Sequence, residues 1–319
     1  MRKFVINEND SGQRADKFIM KVSDIPKGLM YKFIRTKKIK INRKKFDIAY
    51  KLQTGDVVEM YIDDEFFTKS DKKSDNLPFI NADTDINVIY EDNNILLVNK
   101  PVGVIVHSDK NNSGNTLADS VKNYLYQKGE YNPQNELSFA PATCNRIDRN
   151  TCGIVICAKN ASSLREINEC IREHNLHKKY LCITVNIPSE RQGIIKAYHF
   201  KDDKMNKVYI SDTPKKHYRE IATKYHIVCE KNGLCLVEAE LITGRSHQIR
   251  ASMAHIGCNI LGDTKYGIKS ANDKYKIYYQ ALCAYSLKFE FDSNSPLAYL
   301  NEKEFSIDMA DIWFSGILK

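Results

Sequence analysis

The sequence predicts a mixed α+β protein, with a small N-terminal α/β module ahead of a larger body whose sheet is largely antiparallel. Three observations lead there. Beyond residue 85, short apolar or alternating runs separated by Gly-, Asn- and Asp-rich turns outnumber helical patterns. Two short amphipathic helices and a pair of strand-like runs fill residues 12–62. Residues 64–84 lack periodicity and are rich in charge and small polar side chains. The expected organisation is therefore a module over 1–63, a linker over 64–84 and a body over 85–319, with no internal repeat.

In the module, residues 14–22 place Ala15, Phe18, Ile19 and Val22 on one helical face. Pro26-Lys27-Gly28 interrupts the chain, and 29–36 reads as a second helix with Leu29, Met30, Phe33 and Ile34 inward. Residues 39–42 and 57–62 alternate as strands. Residues 27–51 hold ten basic side chains against one acid, Asp47, so this stretch alone accounts for the net charge of +8. A merely solvated lysine-rich face intersperses acids. Their absence marks a polyanion-binding patch, centred on Arg35, Lys37, Lys38, Arg43 and Lys44.

In the body, 86–90 and 95–98 pair as strand, turn and strand, and 99–107 exits onto a loop shaped by Pro101 and Gly103. Residues 116–128 look helical, with Leu117, Val121, Tyr124 and Leu125 on one face. Asn145-Arg146-Ile147-Asp148-Arg149-Asn150-Thr151-Cys152-Gly153 is polar and turn-prone and feeds an apolar, β-branched run, which reads as a buried strand. Asp148 thus lies on a loop at a strand's mouth, between guanidiniums that favour its ionised form. Taken alone, that description suits a surface ion pair as well as a working carboxylate. A helix over 162–172 follows, with Leu164, Ile167 and Ile171 inward, then a loop running into a strand over 174–185 and strand-like stretches over 219–228 and 234–242. Residues 243–257 open from a turn into a helix carrying Arg250, with Gly257 as C-cap. A tight turn over 261–267 and closing strands from 281 onward complete the chain.

Composition narrows the class. With 28% charged and 42% apolar residues, the chain is ordinary globular protein. No run approaches the roughly eighteen apolar residues of a membrane span. Residues 1–8 lack the apolar core of a signal peptide, so a cytoplasmic protein is expected. Nine cysteines, an odd number with no Cys-x-x-Cys pair, argue against a disulfide framework and against a zinc site, and no metal is expected.

The module resembles the S-four-type RNA-binding domain through Arg14-Ala15-Asp16-Lys17-Phe18, the basic helix through Arg35, Ile39-Lys40-Ile41-Asn42 and Gly55-Asp56. The body resembles the RluA-type pseudouridine synthases, the group of RluA, RluC and RluD. The matching segments are 145–153, Lys178-Lys179-Tyr180, Thr243-Gly244-Arg245-Ser246-His247-Gln248-Ile249-Arg250, and Gly262-Asp263 with Tyr266-Gly267. Lys100-Pro101 with Gly103 and His107 is similar to the start of that family's catalytic domain. The resemblance implies a pseudouridine synthase fold and an isomerase that turns specific uridines of RNA into pseudouridine. It implies no cofactor, because the reaction is redox-neutral and nothing leaves. It implies RNA as partner and not DNA, first large-subunit (23S) rRNA or its assembly intermediates, bound by a monomer. A tRNA target and a silent RNA-binding or ribosome-assembly factor are the alternatives; intact Asp148, Tyr180 and Arg250 stand against the latter.

By resemblance Asp148 is the nucleophile or key base, Arg250 its ion-pair partner, and Tyr180 a ring that stacks on the base with a hydroxyl able to relay a proton. Ile249 packs beneath the uracil, and Arg146 wedges into the RNA or holds the flipped nucleotide, unless it pairs with another loop carboxylate. Arg245, His247 and Lys100 contact RNA backbone or support loops. The residues leave open whether the carboxylate attacks the sugar, attacks ring carbon 6 or abstracts a sugar proton. Two positions depart from the family pattern: Asn145, where His is common, and Cys152, where a small hydroxyl residue or Gly is usual. They bear on the loop's hydrogen bonding and on target preference.

Overall fold

The computed structural model describes residues 1–67, 77–108 and 115–318. In chain order the first elements are β1 (Arg2–Val5), α1 (Ala15–Val22), α2 (Lys27–Arg35), β2 (Ile39–Ile41), β3 (Val57–Met60), β4 (Val88–Glu91) and β5 (Ile95–Lys100). Next come α3 (Leu117–Gln127), β6 (Ala142–Thr143), β7 (Cys152–Ala158), α4 (Ala161–Arg172), β8 (Leu176–Val185), β9 (Gln192–Asp202) and β10 (Lys207–Ser211). The last are β11 (Arg219–Lys231), β12 (Leu234–Leu241), α5 (Gln248–His255), α6 (Lys269–Tyr275), β13 (Leu282–Phe289) and β14 (Glu304–Ser306). Among the described residues two compact units form, one from 1–85, 118–142 and 158–165, the other from 86–117, 143–157 and 166 onward.

In the first unit β3 runs antiparallel between β1 and β2. Helix α1 buries Ala15, Phe18, Ile19 and Val22, the face its periodicity predicts. Helix α2 begins at Lys27, two residues earlier than expected, because Pro26 stands just before the first turn, where a missing N–H costs nothing. It buries Met30 and Ile34, with Leu29 and Phe33 partly buried against the same core. After β2, Asn42 and Arg43 both take positive φ, 51° and 64°, in a two-residue turn that leaves Arg43 and Lys44 exposed. Asp56 ties this loop together, accepting from Asn42 Nδ2 at 2.7 Å, Tyr50 Oη at 3.0 Å and Gln53 N at 2.8 Å.

Residues 68–76 of the expected linker lie outside the described residues. On either side of them the chain is packed. Phe67 ends a short 3-10 turn and is fully buried in the N-terminal core. Phe79 is buried beside Tyr126 and Tyr131, while Asn123 Nδ2 donates to the carbonyls of Ile80 and Ala82. Isolated aromatics among charges have no period, so the sequence pattern does not announce them.

The second unit is built on an 11-stranded sheet in the order β10-β9-β11-β12-β8-β13-β7-β5-β4, with β14 on β13 and β6 on β7. Antiparallel registers join β10, β9, β11, β12, β8 and β13 in turn, as well as β4 with β5 and β14 with β13, while β7 runs parallel to β13, so the largely antiparallel α+β architecture is as expected. Strand β7 is buried along its whole length, as its β-branched run requires. Gly153 lets β7 approach β13: it has φ +120°, and a Cβ there would lie 2.3 Å from the Ala284 carbonyl oxygen. Gly153→Ala should therefore cost about 3 kcal/mol of stability. Gly28→Ala, in α2 with nothing within 4 Å of the added methyl, should instead stabilise by about 0.5–1 kcal/mol. Urea unfolding reads both, and an unshifted midpoint for Gly153→Ala would contradict the close strand approach.

Candidate active site

The loop before β7, the start of β8 and the turn into α5 line a cavity of about 340 Å³, within the roughly 300–1,000 Å³ of small-molecule sites. Asn145 fastens the first of these segments to its own strand. Its Oδ1 accepts from Ile156 N at 2.8 Å and its Nδ2 donates to Ile154 O at 3.3 Å. A turn closed by Thr151 N on the Asp148 carbonyl, at 3.1 Å, then presents the Asp148 side chain 29% exposed in the cavity. The other departure from the family pattern, Cys152, is buried and donates to Leu282 O at 3.6 Å.

Arg250 reaches Asp148 from α5, with Nη1 donating to Oδ2 at 2.7 Å. Its other edge is forked onto Asp263, Nε to Oδ2 at 2.7 Å and Nη2 to Oδ1 at 2.9 Å. Burial opposes the Arg250 charge, but the two carboxylates outweigh it and hold the guanidinium above its ordinary pKa. Burial opposes the Asp263 charge too. Arg250, together with the N–H groups of Tyr266 and Lys265, holds that carboxyl below its usual range. Gln248 secures the turn before the helix: its Oε1 accepts from Arg245 N and Thr243 Oγ1, both at 3.0 Å, and its Nε2 donates to Ala222 O and Thr223 Oγ1.

His247 stands between these groups. Its Nδ1 lies 2.9 Å from Tyr266 Oη and its Nε2 3.9 Å from Asp148 Oδ2. Burial pushes its pKa down to about 4, with Asp148 opposing and Arg250 reinforcing the shift. Tyr180 lines the cavity from β8, and its hydroxyl has no hydrogen bond among the described residues. Burial first, then the Asp148 charge, raises its pKa, so the phenol stays protonated. Ile249 is buried and also lines the cavity, whereas Arg146 and Arg245 line it while exposed.

The structure thus brings Asp148, Tyr180, Arg250, Ile249, Arg146 and Arg245 to one cavity. Lys100 is not among its lining residues. It is fully buried, with Nζ donating to the carbonyls of Pro101 (2.8 Å), Val104 (2.8 Å) and Arg149 (3.0 Å). Of RNA contact and loop support, burial corrects the assignment to loop support. Burial also lowers the Lys100 pKa to about 8. Arg35, Lys37, Lys38, Arg43 and Lys44 are exposed in the first unit. The residue that sequence reasoning left without a role is Asp263. The only signal was its place in the Gly262-Asp263 motif, where a carboxylate among turn formers reads as turn chemistry.

Residues 94–255 match the family described as RNA pseudouridylate synthase. The chain belongs to the RNA pseudouridylate synthase family. This synthase is 36% identical over 310 residues to an uncharacterized RNA pseudouridine synthase of Mycoplasma capricolum subsp. capricolum, across 95% of this chain and 96% of that one. It is 32% identical to the ribosomal large subunit pseudouridine synthase C of Buchnera aphidicola subsp. Baizongia pistaciae, across 89% of this chain and 88% of that one. The solved structure of human RNA pseudouridylate synthase domain containing 1 matches with a TM-score of 0.54 at 19% identity, over 66% of this chain and 81% of that one, a likeness of fold.

The His247 environment predicts a pH effect on the synthase. An unfolded imidazole takes its proton near 6.5, the folded one only near 4. Between those values the unfolded chain binds more protons, so stability should fall as pH drops from about 6.5 to about 4. His247→Gln should flatten that part of the urea-unfolding profile, and an NMR titration showing His247 protonated at pH 6 would contradict the assignment.

Proposed function

We propose that this synthase isomerises specific uridines in large-subunit rRNA to pseudouridine, with Asp148 as the reacting carboxylate. The observation that carries the reading is the Asp148 side chain held at 2.7 Å by a buried arginine, in a cavity that also offers Tyr180 and Ile249. In the reaction the bond from the sugar to ring nitrogen 1 breaks, the uracil turns, and ring carbon 5 bonds to the sugar. The hydrogen on carbon 5 leaves as a proton and nitrogen 1 gains one, so composition is unchanged. Positive charge develops at the sugar as the bond breaks, and an ionised carboxylate is the group that meets it. Arg250 Nη1 donates to that carboxylate and holds it in the cavity.

Tyr180 stacks on the base and Ile249 packs beneath it. The uridine must leave its stack to enter, and Arg146, exposed with no ion-pair partner among the described residues, takes its place in the RNA. Arg245 contacts backbone at the rim. In our reading, residues 1–63 form an S-four-type RNA-binding domain, 64–84 a linker and 85–319 the catalytic domain. Among the exposed cations of the first domain, Arg35, Lys37, Lys38, Arg43 and Lys44 grip phosphates. Relatives named for the ribosomal large subunit support rRNA as the target. We take the protein to act as a cytoplasmic monomer on rRNA or its assembly intermediates.

Carbodiimide primer extension on rRNA tests the reading. Asp148→Asn should abolish the uridine-dependent stops while RNA affinity stays within a few-fold, and an active variant would remove Asp148 from the chemistry. Replacing Arg35, Lys37, Lys38, Arg43 and Lys44 with Ser should weaken binding and reduce the salt slope by about 0.7–0.9 for each lost phosphate contact. An unchanged slope would refute the grip.

A further inference from the structure

Strand β8 divides its cations between two faces, because successive side chains point to opposite sides of a sheet. On one face, His177 lies 3.2 Å from Glu290 and 3.7 Å from Glu240, and Lys179 lies 3.9 Å from Glu238. On the other, Lys178 shares the face of Tyr180 and lines the same cavity as Asp148 and Arg146. Among the described residues Lys178 has neither a carboxylate at ion-pair distance nor a hydrogen-bond acceptor. The cavity's own carboxylate, Asp148, is held instead by Arg250, whose Nε and Nη2 are bonded to Asp263.

Lys178 is only partly exposed, and burial lowers its pKa. A desolvated ammonium with no anion is costly to keep. Such a group is explained when the ligand brings the missing charge. Uracil and ribose carry none, and their oxygens return a hydrogen bond without a countercharge. A phosphodiester carries a full negative charge, and lysine binds phosphate as a point charge. We propose that Lys178 binds the backbone phosphate beside the uridine that enters the cavity, holding that nucleotide in place for Asp148. The proposal rests on the cavity being the uridine site. Lys178 positions the substrate and takes no part in breaking or making bonds.

The test is a scan of a uridine-containing stem–loop from large-subunit rRNA, in which single phosphates are replaced by neutral methylphosphonates. Binding is measured by fluorescence anisotropy and conversion by single-turnover assay, for the wild type, Lys178→Met and Lys178→Arg, with fold checked by circular dichroism. In the wild type one linkage next to the target should weaken binding about ten-fold when neutralised. Lys178→Met should show that loss on unmodified RNA, gain less than two-fold more at the same linkage, and keep its saturated rate within about three-fold. Lys178→Arg should recover most of the affinity. The proposal is overturned if Lys178→Met binds like the wild type, if it stays equally sensitive at every linkage, or if it loses saturated rate at unchanged affinity. A wild type that converts no uridine would fail the function reading instead, and the binding scan would still decide the phosphate contact.

Discussion

One buried guanidinium shared by two carboxylates holds the site together. Arg250 comes from α5, Asp263 from the turn 13 residues on and Asp148 from the loop before β7, 102 residues away, so three segments meet on one planar group. Each charge would be costly to bury alone. Arg250 and the fully buried Asp263 compensate one another, and the partly exposed Asp148 is held on the guanidinium's other edge. The turn bearing Asp263 is itself held by close backbone contacts. A Cβ on Gly262 would lie 2.0 Å from the Tyr279 carbonyl oxygen, and one on Gly267 would lie 2.2 Å from that of Asp263.

Beneath the Asp148 loop, a second charge does related work without a counterion. Lys100 ends β5 and collects three carbonyls, one of them from Arg149, next to Asp148 in the chain. Arg149 returns the connection through Nε to Gly103 O, while Gly103 N donates to Arg149 O, both at 3.0 Å. The exit of β5 and the Asp148 loop are thereby laced into one support. Preorganisation of this kind matters because a reacting group misplaced by about 1 Å can lose roughly 100-fold in rate.

Much of this was legible in the sequence. The β7 strand, the inward face of α1 and the largely antiparallel body followed from periodicity, because each rests on a repeating burial pattern. The meeting of Asp148, Tyr180 and Arg250 followed from family motifs and not from periodicity, since no local pattern encodes a contact across 102 residues. What stayed hidden depends on three-dimensional placement. Asp263 looks like turn chemistry until its oxygens are seen on Arg250. Lys100 looks like an RNA contact until its Nζ is seen among carbonyls. Phe79 and Phe67 are buried in stretches whose composition signals a linker, and Lys178 differs from Lys179 only in the face it occupies.

By fixing the guanidinium that holds Asp148, Asp263 should act on the chemistry through Arg250. The direct test is the single-turnover rate of Asp263→Asn at saturating RNA, on a variant whose fold is checked by circular dichroism. The carboxamide keeps the side chain's size but removes its charge. The rate should fall by about 10–100-fold, roughly 1.4–3 kcal/mol in barrier, with RNA affinity within a few-fold of wild type. A folded Asp263→Asn protein that converts uridine at the wild-type rate would contradict it.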